Sequence, residues 1–424
     1  MKNNICIIGL GYVGLPLCLA FSKRNKVIGY DIDSERVNTL KKSIDINNDL
    51  ELFERKLLKS KNIVFTDNPN ELINANIFII TVPTPIDKKK NPDFKPLISA
   101  TKTVSKYIKK GDVVIYESTV YPGATEEVCL PIIENLSKLI LNKDFYLGYS
   151  PERLSPGDKE HGLKKIIKIT SGSSPKALKI IDDLYKSIIS KGTYPVRSIK
   201  IAEAAKVIEN TQRDLNIAFI NELSKIFNKL NINTKEVLEA AGTKWNFVKF
   251  QPGMVGGHCI AIDPYYLKFK SSQSGYASKL ILPARKLNDS MPKFICDRML
   301  TSINFSRVNN KKIKILVMGF AYKENSSDTR NTPAFDIFKY LHNIKKIKHV
   351  DIMDPLVRID HAKSNFGINI HHSVNRKYDG IILAVPHKKI LKFLKNNFKK
   401  ITKKNTKILD VKYLLKKNNN VIPL

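Results

Sequence analysis

The stretch NICIIGLGYVGLPLCLAF, residues 4–21, constrains this chain more than any other. A β-branched run stops at Gly9-x-Gly11-x-x-Gly14 and passes into an apolar helical pattern, which reads as strand, glycine turn and helix. A second β run, KVIGY, ends in Asp31, seventeen residues past Gly14 and near the distance at which an acid meets an adenosine ribose. The glycines let the backbone approach a pyrophosphate at a helix N-terminus, and Asp31 accepts from the ribose hydroxyls. A tight turn in a ligand-free α/β domain is the alternative; the strand before, the helix after and the acid at this spacing weigh against it together. A carboxylate at this place repels a 2′-phosphate, so NAD is expected in preference to NADP.

Further strands are expected in ANIFIITVPTP (75–85) and DVVIYESTVYPG (112–123), with a helical pattern from about Leu97 to Lys109 between them. In an open parallel sheet the ligand crevice lies at the carboxyl ends of the strands, so Thr84, Ser118 and Thr119 are placed to face it. Turn and cap roles are at least as common for such residues. The strand FYLGYSPERL brings Glu152 and Arg153 to another strand end.

The last third of the chain echoes the first. IKILVMGFAY, VDIMDP and YDGIILAVP repeat the order of ICIIGLGYV, VIGYDID and ANIFIITVP, and TKILDV parallels GDVVIYESTV. Two α/β halves follow, the second beginning near Lys311 and lacking the glycine fingerprint; its first loop carries Lys323, Asp328 and Arg330. These side chains suit a phosphate ligand, or an exposed charged loop. Between the halves, IKIAEAAKVIENTQRDLNIAFINELSKIFNKL keeps apolar residues at helical spacing over about 30 residues. Lys206 and Asn210 share one face of that helix, although a solvated lysine accounts equally for such a pair. Asn233-Thr-Lys-Glu236 has the form of a capping box, opening a helix that ends near Gly242.

Five cysteines in 424 residues form no CxxC pair and no disulfide framework, which suits a reducing, cytoplasmic setting. Cys6, Cys18, Cys129 and Cys296 sit among apolar neighbours. Cys259 lies instead in GMVGGHCIAID, among glycines, a histidine and Asp263; a reactive thiol and a buried structural one are balanced readings there. The formal charge of +33 would suit a nucleic-acid binder, but the lysines spread along the whole chain and interrupt amphipathic patterns, as solvated faces do. The N-terminal apolar run lacks a small-residue cleavage site, and no run approaches the roughly 18 apolar residues of a membrane span.

Taken as a set, IGLGYVGLPL, TVPTPID, ESTVYPG, YSPERLSPGD, AEAAKVIENTQRDLNIA, GGHCIAIDPYYL and KENSSDTRNTP resemble the UDP-glucose/GDP-mannose 6-dehydrogenase family, and within it the bacterial UDP-N-acetylhexosamine 6-dehydrogenases that make precursors of capsule and O-antigen. The resemblance runs from Met1 to about Val411. It implies an α/β fold of two Rossmann-like domains joined by a long central helix: an NAD-binding domain over 1–198, a helical dimerisation region carrying the cysteine loop over 199–308, and a UDP-binding domain over 309–424. It further implies a homodimer, no nucleic-acid or membrane partner, and no metal.

Carried over residue by residue, the family pattern makes Cys259 the nucleophile, with Lys206, Asn210 and Asp263 around it and Thr119 and Glu152 across the crevice. It places Gly9, Gly11, Tyr12, Val13, Gly14, Asp31, Arg36, Pro83, Thr84, Ser118, Thr119 and Arg330 on the cofactor. It places Glu152, Arg153, Leu154, Lys206, Asn210, Gly256, Gly257, His258 and Lys323 on the sugar nucleotide. Two departures stand out. Pro156 occupies a position that is acidic in glucose-type members, which suits an N-acetylhexosamine, and the C-terminus reads VIPL where close relatives carry an arginine.

Overall fold

The computed structural model describes residues 3–46, 50, 52–153, 163–257, 259–305, 313–416 and 419–424. Contacts divide the chain into two units, one of Met1–Glu209 with Tyr265–Ala277, the other of Asn210–Pro264 with Ser278–Leu424.

The first unit is built on an eight-stranded sheet: β1 (Asn4–Ile8), β2 (Lys26–Tyr30), β3 (Ile63–Thr66), β4 (Ile77–Ile80), β5 (Val113–Tyr116), β6 (Tyr146–Tyr149), β7 (Lys168–Gly172) and β8 (Thr193–Pro195). Their order is β3-β2-β1-β4-β5-β6-β7-β8. β4 and β5 read IFII and VVIY and are buried throughout, because helices cover both faces of a parallel sheet and leave no side of the strand for polar residues. Strand order reverses at β1, which pairs with β2 on one side and β4 on the other. That reversal opens the crevice at the carboxyl ends of these strands. β7 departs from the pattern by running antiparallel to β6.

The second unit repeats the topology with β9 (Ile313–Met318), β10 (Ile347–Met353), β11 (Ile370–His371), β12 (Tyr378–Leu383), β13 (Thr402–Asp410) and β14 (Val421–Pro423), in the order β11-β10-β9-β12-β13-β14 and parallel throughout. Alternation along the strands splits the core in two: Ile315, Val317, Ile352, Ile382 and Leu409 pack on one face, and Leu316, Met318, Met353, Ile381 and Ile408 on the other.

The acid after β10 shows how the two copies differ. Asp354 occupies the place that Asp31 holds after β2, yet it is fully buried. Its Oδ2 accepts from the Phe320 and Ala321 N–H groups at 2.7 and 3.0 Å and from His387 Nε2 at 2.9 Å, while Oδ1 accepts from the Leu356 and Val357 N–H groups. His387 Nδ1 accepts in turn from the Asn325 N–H at 2.7 Å, which assigns the ring proton to Nε2.

The helix Ile199–Lys229 has 31 residues, so it runs for about 45 Å. Asn233 caps the helix Thr234–Ala241 by accepting from the Lys235 and Glu236 N–H groups. Glu236 closes the box on the Asn233 side-chain amide, at 2.8 Å.

Candidate active site

The glycine turn is held by close approach. Gly9 takes φ +97°, and a Cβ there would stand 3.2 Å from the Thr81 and Val82 backbone. A Cβ on Gly14 would lie 1.9 Å from the Gly9 carbonyl oxygen, so only glycine lets the helix start this close to the strand end. Around Gly11, by contrast, no atom of the described residues other than its two chain neighbours lies within 4 Å of a Cβ position, which leaves the open cradle a pyrophosphate requires. The helix Gly14–Phe21 begins at Val13 with no side-chain cap; in its first turn the Leu15 N–H donates to the Gly11 carbonyl at 3.0 Å and Pro16 has no N–H, so an anion would meet the amides of the glycine turn itself. Thr81 fastens the turn by donating to the Ile8 and Gly9 carbonyls at 3.0 and 2.8 Å. Sequence reading passes over this residue; the signal is a hydroxyl placed directly after the apolar run IFII.

Asp31 is fixed before any ligand arrives. Its Oδ2 accepts from the Leu10 N–H at 2.7 Å and its Oδ1 from the Asp33 N–H at 3.0 Å. Each oxygen retains a lone pair for a ribose hydroxyl. Arg36 takes a supporting position: Nε donates to the Leu10 carbonyl at 3.0 Å and NH1 pairs with Asp45 at 2.8 Å, so the buried guanidinium braces the glycine loop from behind. Tyr12 is half-buried in the loop. Beyond Pro83, the hydroxyls of Thr84 and Ser118 donate to the Thr119 and Val82 carbonyls at 2.7 and 2.6 Å. These bonds tie the loops after β4 and β5 together, and Tyr266 adds a third by donating to the Thr84 carbonyl at 2.7 Å. The turn role considered for Thr84 and Ser118 is therefore realised, with their oxygens left as acceptors.

Glu152 follows β6 and is buried. Its Oε1 accepts from the Arg153 N–H at 2.5 Å and its Oε2 from Lys168 at 2.9 Å. Arg153 pairs with Glu209 on the long helix. Lys206 is buried one turn before Asn210 on that helix. Leu154, Pro156 and His258 lie outside the described residues.

In the second unit, Asn210 donates to Asp263 Oδ2 at 2.6 Å, both side chains buried. Asp263 opens the helix Asp263–Gln273, and its N–H donates to the Cys259 carbonyl at 2.9 Å, so the cysteine turn ends directly in this helix. Cys259 is half-buried, whereas the other four cysteines are buried and burial pushes their thiols up, Cys129 to about 12. The balance struck from sequence thus tips toward an accessible thiol at position 259. Gly256 and Gly257 are set by close packing. A Cβ on Gly256 would meet Asn331 O and Pro333 Cδ at 2.7 and 2.6 Å, and one on Gly257, at φ +84°, would meet the Tyr322 ring at 2.6 Å. Asn331 also donates to the Gly257 carbonyl at 3.1 Å.

The loop is anchored at its other end by Asn221, which sequence reading does not single out. Its amide donates to the Gly253 carbonyl at 2.9 Å while its oxygen accepts the Gly253 N–H at 2.8 Å. An asparagine set within the apolar spacing of the helix is the signal that points to it. Lys323 is half-buried, and Arg330 forks onto Asp328 at 2.5–3.1 Å. Among the described residues no group of three or more His, Cys, Asp or Glu side chains suits a metal ion, and no helix is long and apolar enough to cross a membrane.

An open glycine cradle, an uncapped helix start and a preset Asp31 define an NAD-binding oxidoreductase domain, and the second sheet and cysteine loop extend it beyond a simple dehydrogenase. The chain belongs to the UDP-glucose/GDP-mannose dehydrogenase family: residues 3–189 match its NAD binding domain, 200–290 its central domain and 316–417 its UDP binding domain. It is 47% identical to the UDP-N-acetyl-D-glucosamine 6-dehydrogenase of Pseudomonas aeruginosa over the full length of both, and 47% identical to that of Salmonella typhi over 97% of this chain and 96% of the relative. Among solved structures it resembles a UDP-D-ManNAc dehydrogenase from Pyrococcus horikoshii, with a TM-score of 0.88 and 32% identity over 98% of this chain and 96% of the other.

Proposed function

We propose that this chain oxidises C6 of a UDP-N-acetylhexosamine to the uronate in two NAD-dependent steps, supplying a surface-polysaccharide precursor. The observation that carries the reading is Cys259: the one half-buried cysteine, in a turn that runs into the helix of Asp263. The 47% identity to two UDP-N-acetyl-D-glucosamine 6-dehydrogenases supports the choice of sugar.

NAD, when bound at Gly9, Gly11, Gly14 and Asp31, accepts the hydride of each oxidation. In the first step Lys206, Asp263 or a water they order takes the C6 hydroxyl proton. The Cys259 thiolate then adds to the aldehyde carbon, so that the second hydride leaves from a thiohemiacetal and a thioester results. Water attacks that carbon with Glu152 taking a water proton, the C–S bond breaks with its electron pair on sulfur, and the uronate is freed. Lys206 and Asn210 stabilise the oxyanions. Thr119 stands with the catalytic and cofactor residues across the crevice, and Lys323 and Arg330 serve the nucleotide parts of substrate and cofactor.

A homodimer and a cytoplasmic setting complete the proposal. Ile201, Ile208, Phe219 and Ile226 are exposed along one long helix, an apolar load for solvent to carry. None of the five cysteines is joined in a disulfide, which suits a reducing compartment. The test is a panel of UDP-N-acetylglucosamine, UDP-N-acetylgalactosamine, UDP-N-acetylmannosamine, UDP-glucose and GDP-mannose, assayed for NADH. A UDP-N-acetylhexosamine should give the highest kcat/KM and two NADH per sugar; a better rate with UDP-glucose, or one NADH per sugar, would refute the reading.

A further inference from the structure

The antiparallel turn of β7 brings a lysine to the end of the sheet where the acids are. β6 and β7 pair Gly148 with Gly172 and Tyr149 with Ser171, and continuing that register past the strand end sets Lys168 opposite Glu152. Lys168 Nζ donates to Glu152 Oε2 at 2.9 Å and to Glu117 Oε2 at 2.6 Å. The Tyr185 hydroxyl, on the helix Pro175–Lys186, donates to the other Glu117 oxygen, and its ring lies under the ammonium at 5.2 Å. The groups form an ordered row. Side-chain exposure is 8% at Glu152, 4% at Lys168 and 0% at Glu117, so Glu152 is the outermost member and the others stand behind it.

We propose that Lys168, itself held by Glu117 and Tyr185, is the positioning residue for Glu152, keeping that carboxylate ionised and aimed so that it takes the proton of the water that cleaves the thioester. This rests on the role given to Glu152 in the proposed function. In that step the water oxygen bonds to the acyl carbon, the C–S bond breaks with its electrons on sulfur, and one water proton passes to Glu152. A positive neighbour at 2.9 Å favours the charged form of the Glu152 carboxylate. Burial alone would lower the Lys168 pKa, but Glu117 and Glu152 outweigh it and hold it above the usual lysine range, so the ammonium persists. Burial pushes the Glu117 carboxyl up to about 7 against the pull of Lys168. One buried cation beside two carboxylates thus leaves Glu117, the inner one, as the acid that gives way by protonation. Among the described residues, other charged groups on the neighbouring elements include Asp182, bound to Thr170 on β7 and to Lys186, and Arg153, paired with Glu209.

The test uses whichever nucleotide sugar of the panel the wild type oxidises, so the identity of the sugar and the role of Lys168 are judged separately. Lys168→Met and the charge-balanced double variant Lys168→Met/Glu117→Gln are compared with wild type, folding being checked by thermal melting and NAD binding. Without the cation 2.9 Å away the charged carboxylate is less favoured, so the acid limb of the kcat profile should move up by a pH unit or more in both variants. kcat at neutral pH should fall at least tenfold, with KM for sugar nucleotide and NAD within threefold of wild type. If the single variant does not fold, the double variant, which buries only one carboxylate, decides. A purely structural ion pair would lower the melting temperature and leave the acid limb in place, and that result, or a change confined to KM, overturns the proposal.

Discussion

The side-chain amide of Asn210 donates to Oδ2 of Asp263 at 2.6 Å, joining the long helix to the first residue of the helix that follows the cysteine turn. Asp263 therefore has two tasks, since its backbone N–H also holds the Cys259 carbonyl. Asp263→Asn keeps the shape and the backbone bond but removes the charge. It should lower kcat by about 10²-fold or more, the range of a lost acid–base group, with a smaller change in KM. Steady-state kinetics beside a melting curve separate the tasks: reduced melting with unchanged kcat would limit Asp263 to structure.

Gly11 and Gly14 should respond in opposite ways to the same added methyl. Gly14→Ala forces a Cβ to 1.9 Å from the Gly9 carbonyl and should cost about 1–3 kcal/mol or prevent folding. Gly11→Ala meets no protein atom, so its stability should stay within about 0.5 kcal/mol of wild type while NAD binding weakens. Calorimetric titration with NAD on a variant of unchanged melting temperature checks this; undiminished affinity would remove Gly11 from the cofactor site.

Asp31→Ala should raise the KM for NAD about 10- to 100-fold, as expected for losing hydrogen bonds to a charged acceptor worth about 1.5–3 kcal/mol. It should also relax preference toward NADP. Because Asp31 holds the Leu10 and Asp33 N–H groups, some loss of stability should accompany the change. Equal KM values for NAD in variant and wild type would contradict the placement.

Cys259→Ala should abolish uronate formation while leaving NAD binding intact, since the thiol and the glycine turn lie in different units. Cys259→Ser should instead form an ester that hydrolyses slowly, visible by intact mass as a protein carrying the sugar nucleotide. Uronate production near wild-type rates by folded Cys259→Ala would leave the loop as a packing feature.

Glu203, buried on the long helix, accepts the Gly123 and Thr125 N–H groups at 2.5 and 2.9 Å, yet burial pushes its carboxyl up from 4.5 to about 7. Between those values the folded chain binds more protons at this site than the unfolded chain, so the stability contributed here is present below about 4.5 and is lost as pH rises through 7. Glu203→Gln cannot ionise. Its stability deficit relative to wild type should therefore shrink between pH 5 and 8, by up to about 3 kcal/mol, since each tenfold change in proton affinity is worth roughly 1.4 kcal/mol. Urea unfolding at both pH values measures the gap, and a constant gap would count against the titration.

What can be read from sequence is whatever depends on spacing along the chain. The glycine turn, Asp31, the repeated order of strands and the exceptional cysteine all declare themselves within a few residues. Thr81, Asn221 and the partnership of Lys168 with Glu152 do not, because each depends on which distant segment packs beside it. Lys168 stands in KKIIKIT, where nothing distinguishes it from solvated lysines until the reversal of β7 fixes its register. The place of Arg36 after Asp31 points to the cofactor; its pairing with Asp45, in a loop nine residues on, follows no periodic pattern and turns the guanidinium to the back of the glycine loop.

The buried Asp354 bears on how turnover is organised. With its carboxylate committed to four backbone N–H groups and His387, Asp354 is not placed to meet a ribose as Asp31 is, so among the described residues the proposed four-electron oxidation has one coenzyme seat, that of the first sheet. On that reading reduced coenzyme would have to depart and a fresh molecule arrive midway, with the sugar only half oxidised. If Cys259 is the nucleophile, as proposed, its covalent bond would act as a tether as well as a chemical handle, keeping the reactive aldehyde from diffusing away during the exchange and committing each sugar to completion once begun.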